Sequence, residues 1–272
     1  MGAQQELHSR GKDMVHKPVD TYARYFRALS HQHLDQRRRD KKPVDSSHSE
    51  YHLNADADLI PVIGAVYEFS DREVILGRFA AQFHDIVRSG REDLGLQDEK
   101  DSAKISVGIL VDLNQKGDFL TSEEERESVE FAVLNHSRKP ALFSNPETRE
   151  DTPQALRDRL HTVLYVADAL QKLGAPLIMR RSAFVGGKRR ETGDLKDVTI
   201  EGRPIDAVEA VLLESAVRLG WKNVEEDYPS RLRGYIQPAF SIQRDWVGAL
   251  LASRNLDVGT WANLIWNTRN SN

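Results

Sequence analysis

Apolar side chains recur at intervals of three and four residues along most of this chain, which is the spacing of a helix with one buried face. Such stretches begin near Asp20, Leu59, Asp71, Ile105, Gln154 and Asp206. The alternation of apolar and polar residues that is typical of half-buried strands is scarce, and only residues 177–203 leave room for a short ribbon or an ordered loop. The pattern therefore predicts an all-α protein.

Three local predictions concern how these helices begin and pack. The second helix should bury a face made of Leu59, Val62, Ile63, Val66 and Tyr67. Residues 87–101 are highly charged and contain two glycines, so they should form a loop. Thr121 and Glu124 have the spacing of a capping box, which predicts the start of a later helix.

Composition limits the chemistry of the chain more than its charge does. The 272 residues carry a formal net charge of −4 and no cysteine, so disulfides and thiolate metal sites are excluded, and any metal must bind to His, Asp or Glu. The mild charge gives no indication of a nucleic-acid or membrane partner. The polar start lacks the apolar core of a signal peptide, and no apolar stretch reaches the roughly 20 residues of a membrane span, so we expect a cytoplasmic protein.

Several His and Asp residues fall on or near the inward helix faces. They are His52, the adjacent pair His84 and Asp85, His136, and Asp168. Asp168 is the most informative, because its neighbours on the same helix are apolar and a buried carboxylate needs a counter-charge or a ligand. Neutral imidazoles and carboxylates that converge on one point have the composition of a divalent-cation site.

The order of these residues resembles the HD superfamily of metal-dependent phosphohydrolases, whose pattern is a His, then an adjacent His-Asp pair on a later helix, then a distant Asp. The similarity extends over residues 48–175 and includes the segments AAQFHDI, DEKDSA, FAVLNHS and VADAL. The resemblance implies an HD-domain-like helical bundle in which His52, His84, Asp85 and Asp168 hold a divalent metal, namely Mn, Mg, Fe, Ni, Co or Zn.

Two features of the sequence depart from the HD pattern. His48 and His52 are four residues apart and would share a helix face, so either could be the first ligand; the spacing to the later pair favours His52, and His48 would then be a proton donor. No histidine occurs between residues 86 and 135, where family members with two metals place one. A second metal would have to use Asp98 and His136, and we expect one tightly held ion.

Further candidates follow from the resemblance and from the charge of a phosphate substrate. Relatives carry catalytic acids in the loop after the His-Asp pair, which here contains Glu92 and Asp93; with His48 and His136 these are the candidate catalytic residues. Arginine and lysine bind phosphate oxygens. The candidates for that role are Arg88, Arg91, Arg180, Arg181 and Lys188. For the segment with Glu92 and Asp93, and for the basic segment around GGKRR, the alternative is a solvated surface loop. GGKRR is not a Walker loop, because it lacks the first glycine and the Ser/Thr after Lys.

The sequence thus predicts a polar segment with a helix (1–43), a metal-binding core (44–176), and a basic loop with a C-terminal helical extension packed on the core (177–272). The expected function is hydrolysis of a phosphomonoester or phosphodiester, nucleotide-derived, by a metal-activated water. The expected partner is a phosphorylated small molecule or nucleotide. The sequence leaves open whether the chain forms a homo-oligomer. Two alternatives are an HD-type di-iron oxygenase, against which the missing middle histidine argues, and a non-catalytic nucleotide-binding regulator, against which the complete ligand set argues.

Overall fold

The computed structural model describes most of the chain between residues 19 and 259. The described residues are 19–42, 44, 50–88, 95–140, 155–171, 199–200, 203–204, 206–220, 228, 230–257 and 259. The chain divides into two compact units, Met1–Ala169 and Leu170–Asn272. The predicted packing of residues 177–272 on the core stays a prediction.

Within the described ranges, helices build the first unit. They are α1 (Val19–Arg39), α2 (Glu50–Val66), α3 (Asp71–Phe83), α4 (Gly95–Lys116), α5 (Glu123–Asn135) and α6 (Leu156–Leu170), which ends at the boundary. The second unit contains an antiparallel ribbon of β1 (Thr199–Ile200) and β2 (Arg203–Pro204), followed by α7 (Ala207–Gly220) and α8 (Ser230–Ser253). Helices dominate, which confirms the predicted all-α class. No helix in the described part of the chain is long and apolar enough to cross a membrane.

Helix α3 lies at the centre of the first unit. It packs against α1, α2, α4 and α5, and nine of its 13 residues are buried, as expected for a helix that is covered on all sides. Phe79 of α3 meets Phe26 of α1 edge-on, with ring centroids 5.0 Å apart. Because the helix is enclosed, His84 and Asp85, which directly follow it, are buried as well.

The absence of a side chain at Gly77 lets α2, α3 and α6 approach one another closely. A Cβ atom on Gly77 would lie 2.9 Å from Ile60 Cγ2 of α2 and 3.6 Å from Val163 Cγ1 of α6. The first of these distances is shorter than a van der Waals contact, so only glycine allows this spacing of the three helices. These are the helices that carry most of the buried His and Asp residues.

A chain of buried and half-buried polar side chains ties α1, α2 and α3 to one another. Ser30 Oγ donates to Gln82 Oε1 over 2.8 Å, and Gln82 Nε2 donates to Asn54 Oδ1 over 3.2 Å. Buried hydrogen bonds of this kind contribute modestly to stability but fix the relative positions of the elements they join. They therefore hold the first turns of α2, with His52, against the end of α3.

The structure corrects the predicted buried face of α2 and the predicted loop. Val62 was expected to be buried, but its exposed fraction is 64%. Helix α2 begins at Glu50, earlier than the apolar run suggests, and its inward face follows Leu53, Ala57 and Ile60. Helix α4 begins at Gly95, so the prediction of a loop through residue 101 is wrong from residue 95 onwards.

The cap of α5 lies one residue beyond the predicted one. Ser122 is the N-cap, and its hydroxyl accepts from Glu125 N while the Glu125 carboxylate accepts from Ser122 N. Two overlapping Ser/Thr-x-x-Glu pairs occur in this segment, so spacing alone could not separate them. The main-chain N–H of Thr121 instead donates to Asn114 Oδ1 over 3.0 Å, which ties it to the end of α4.

Candidate metal centre

Side chains from four helices of the first unit converge on one buried point. Helix α2 contributes His52 and Asp56, and the residues directly after α3 contribute His84 and Asp85. Asp168 comes from the last turn of α6, and His136 directly follows α5. All six are buried, although His and Asp are costly to bury without a partner.

Two of the three imidazoles are fixed by the helix ends that carry them. His84 Nδ1 lies 2.8 Å from the Ala81 carbonyl oxygen, and His136 Nδ1 lies 2.7 Å from the Val133 carbonyl oxygen. Because a carbonyl oxygen can only accept, each Nδ1 carries the hydrogen and each neutral ring keeps a lone pair on Nε2. Both Nε2 atoms face carboxylates of the cluster.

The distances between the converging atoms fit ligands of one ion. His84 Nε2 lies 3.2 Å from His52 Nε2 and 3.4 Å from Asp85 Oδ2. His52 Nε2 lies 3.6 Å from both Asp85 Oδ2 and Asp168 Oδ1. Tetrahedral ligands about 2.0–2.2 Å from a common ion are about 3.3–3.6 Å apart. The cluster therefore has both the donor types and the spacing of a divalent-cation site.

Two overlapping groups of potential ligands occur among the described residues. One consists of His52, Asp56, His84 and Asp168, and the other of His84, Asp85 and His136; in each, ligand atoms lie within 4.8 Å of one another. His84 belongs to both groups, so the two are parts of one cluster. The predicted ligands His52, His84, Asp85 and Asp168 are all brought together in it, and the structure adds Asp56.

The electrostatics of the cluster favour positive charge at His84. Burial lowers the pKa of the His84 imidazole, but the carboxylates of Asp85 and Asp168 and the carbonyl of Ala81 together raise it, so that this pKa lies above its usual value. The same carboxylates that attract a proton attract a metal ion. Protons and metal should therefore compete for the site.

Neighbouring hydrogen bonds fix the chain around His136. His161 Nε2 donates to the carbonyl oxygens of Asn135, over 2.8 Å, and Arg138, over 3.0 Å. Burial lowers the pKa of His161, which keeps this ring neutral. Ser137 Oγ donates to the buried Glu99 carboxylate over 2.6 Å. The segment that carries His136 is thus held by α6 on one side and α4 on the other.

Most of the remaining predicted site residues lie outside the described part of the chain. Arg88 is half-buried, and its main-chain N–H donates to the Asp85 carbonyl over 3.1 Å. The others lie outside the described residues: His48, Arg91, Glu92, Asp93, Arg180, Arg181 and Lys188. Asp98, proposed to share a second metal with His136, is buried in the first turn of α4. Their assigned roles stay predictions.

Sequence reasoning missed Asp56. Its distance of four residues from His52 places the two on one helix face, as the same spacing would for His48 and His52. The apolar pattern instead predicts a helix that begins near Leu59, so Asp56 falls in the polar segment before it. The spacing signal was therefore present, but Asp56 lies outside the apolar run on which the predicted helix rests.

Comparison with known proteins finds no match among family models, curated proteins or solved structures. The function must therefore be inferred from the chemistry of the site. What the structure shows is a helical chain with a buried His/Asp cluster that can hold a metal ion.

Proposed function

We propose that this protein is a metal-dependent phosphohydrolase whose substrate is a nucleotide-derived phosphomonoester or phosphodiester. The observation that carries the proposal is the convergence of His52, His84, Asp85 and Asp168 at ligand-like distances, from helices far apart in sequence. The order of these residues is that of the HD superfamily, and the all-α fold is compatible with it.

The residues present suit a divalent ion. The donor set mixes imidazole nitrogen with carboxylate oxygen, which suits Mn, Fe, Co, Ni or Zn and also admits Mg. A bound ion of this kind would lower the pKa of a water molecule and stabilise negative charge on the oxygens of a phosphoryl group. Asp85 and Asp168 each retain a 5% exposed fraction. They are the least enclosed members of a cluster that is buried throughout.

The chain's own groups have distinct tasks in this proposal. His52, His84, Asp85 and Asp168 hold the ion, and the main-chain carbonyl of Ala81 keeps the His84 ring in position. His136 Nε2 lies 3.5 Å from Asp85 Oδ1 with its own Nδ1 fixed, which suits it to exchange a proton at Nε2.

Residues outside the described ranges complete the proposal. Glu92, Asp93 and His48 are proposed as acids or bases beside the ion. Arg91, Arg180, Arg181 and Lys188, together with Arg88, are proposed to bind phosphate oxygens, as cations with several N–H donors do.

The experiment is a hydrolysis screen in which substrate and metal both vary. The purified protein is assayed with p-nitrophenyl phosphate, its bis-ester and a set of nucleotides, each with Mn, Mg, Ni or Co. Asp85→Asn should abolish metal-dependent turnover, because it keeps the shape but removes an anionic ligand. The control is Asp112→Asn, an exposed carboxylate of α4 that pairs with Lys116 over 3.8 Å, and it should leave turnover unchanged.

Two results would contradict the proposal. The first is absence of turnover with every substrate and metal when the protein is folded and loaded. The second is turnover that persists in Asp85→Asn at the level of the control. An optical absorption typical of paired iron in the loaded protein would point to an oxygenase instead.

A further inference from the structure

Asp56 is the member of the cluster that the proposed function leaves without a task. Its Oδ2 lies 3.3 Å from His52 Nδ1 and 3.5 Å from His84 Nε2. Its exposed fraction is 0%, and it adds a third carboxylate beside Asp85 and Asp168. Burying a carboxylate is costly unless the charge acts on a partner, so the position calls for a specific role.

The three imidazoles differ in what holds their Nδ1 atoms. His84 and His136 each use a carbonyl oxygen three residues earlier, which their positions at helix ends provide. His52 is the third residue of α2, and the residue three positions before it, Ser49, lies outside the described residues. Asp56, one turn further along α2, places a carboxylate oxygen 3.3 Å from the same ring atom, at ion-pair distance and without hydrogen-bond alignment.

The opposite side of the His52 ring faces the ion site. His52 Nε2 lies 3.6 Å from Asp85 Oδ2 and from Asp168 Oδ1, the two least enclosed carboxylates of the cluster. One ring cannot bind the same ion through both nitrogens. A ligand role for His52 Nε2 leaves Nδ1 facing Asp56 Oδ2, an oxygen that also lies 3.5 Å from His84 Nε2.

We propose that Asp56 is a positioning residue that acts through His52. Its carboxylate keeps the hydrogen of His52 on Nδ1 and so directs the Nε2 lone pair towards the ion, while Asp56 itself does not bind the ion. Carboxylates that accept from the second nitrogen of a ligating histidine fix its tautomer and orientation, and their loss costs about 10- to 100-fold in metal affinity. The inference rests on the proposed metal site.

The test measures the tautomer of His52 and the affinity for zinc. Histidine ¹⁵N spectra of the metal-free protein, assigned with His52→Gln, report which ring nitrogen carries the hydrogen. Zinc stoichiometry and Kd are measured by titration for the wild type, Asp56→Asn and Asp56→Leu. The control is Asp58→Asn, an exposed residue of the same helix that pairs with Arg27 over 2.8 Å.

The expected results separate positioning from ligation. In the wild type and in Asp56→Asn, whose amide oxygen can still accept, His52 should carry its hydrogen on Nδ1. Asp56→Asn should retain zinc stoichiometry with a Kd raised about 10- to 100-fold, because the amide keeps the tautomer but lacks the negative charge that raises the basicity of His52. Asp58→Asn should match the wild type. Asp56→Leu should lose the single tautomer; if that variant does not fold, Asp56→Asn decides alone.

Three results would overturn the inference. They are a hydrogen on Nε2 of His52 in the wild type, loss of zinc stoichiometry in Asp56→Asn, which would make Asp56 a ligand, and an unchanged Kd in Asp56→Asn. If the wild type binds neither zinc nor any of the other divalent ions, the proposed function fails. The tautomer spectra of the metal-free protein would still establish whether Asp56 orients His52.

Discussion

Replacing Gly77 by alanine tests whether the close approach of α2, α3 and α6 builds the metal site. The added methyl group would lie 2.9 Å from Ile60 Cγ2, closer than side chains tolerate, and 3.6 Å from Val163 Cγ1. Both neighbours are fully or nearly fully buried, so neither can move into solvent. The helices must therefore separate slightly, or Ile60 must leave its preferred rotamer.

Two opposing free energies set the size of the effect. Alanine is favoured over glycine inside a helix by about 1 kcal/mol, whereas overpacking a core costs about 1–3 kcal/mol. The net expectation for Gly77→Ala is a destabilisation of about 0–2 kcal/mol. Gly108 of α4 is the matched control, because a Cβ there would meet nothing within 4 Å. Gly108→Ala should stabilise the protein by about 0.5–1 kcal/mol.

Urea denaturation of the two variants measures the difference directly, and a zinc titration measures its consequence for the site. Gly77→Ala should be less stable than Gly108→Ala and should bind zinc more weakly, since Ile60 follows Asp56 by one turn and Val163 precedes Asp168 on α6. Equal stability and equal zinc affinity in the two variants would refute the proposed link between helix spacing and the cluster.

Three further predictions concern a cap, a pH response and the basic segment. Ser122→Ala should destabilise the protein by about 1 kcal/mol in urea denaturation, and Thr121→Ala should cost less, because Ser122 is the N-cap; the reverse order would contradict the cap. The pKa of His161 lies below its unfolded value of about 6.5. As the pH drops below about 6.5, this histidine therefore takes up a proton in the unfolded chain before it does so in the folded one, and the free energy of unfolding should fall. Denaturation of His161→Gln at several pH values should show a flatter response, and an equal slope would exclude His161 as the cause. Arg180→Ala and Lys188→Ala should lower kcat/KM about ten- to a hundredfold without loss of metal, and unchanged kinetics would make their segment a surface loop.

The sequence was most informative where a polar residue stands among apolar neighbours. Asp168 stood among apolar residues of a helix, and it is buried in the cluster as that contrast indicates. The same reasoning applied to the pair His84 and Asp85, because they follow an apolar run that ends a largely buried helix. Periodicity therefore predicted the burial of these three residues, and the order of the candidate residues suggested a common site.

Features that depend on the exact start of a helix could not be predicted. Asp56 was missed because α2 begins within a polar segment, before the apolar run. Val62 was assigned to the buried face because it is apolar and lies within that run, but it is exposed. The cap at Ser122 rather than Thr121 is a choice between two equal spacings, which tertiary contacts decide. The meeting of four helices at one point is also a tertiary property, since it depends on close contacts such as that at Gly77.

Metal stoichiometry in Asp168→Asn, compared with the wild type, tests the central claim most directly. Asparagine keeps the shape of the side chain but removes the anion that lies 3.6 Å from His52 Nε2. The control is Asp158→Asn on the same helix, where the carboxylate pairs with Arg157 over 3.3 Å. The wild type and the control should each hold a divalent ion, and zinc at 100-fold excess over its Kd should stabilise them by about 2.7 kcal/mol. Asp168→Asn should lose most of that occupancy and stabilisation, whereas full metal occupancy in Asp168→Asn, or no binding by the wild type, would contradict a metal site at this cluster.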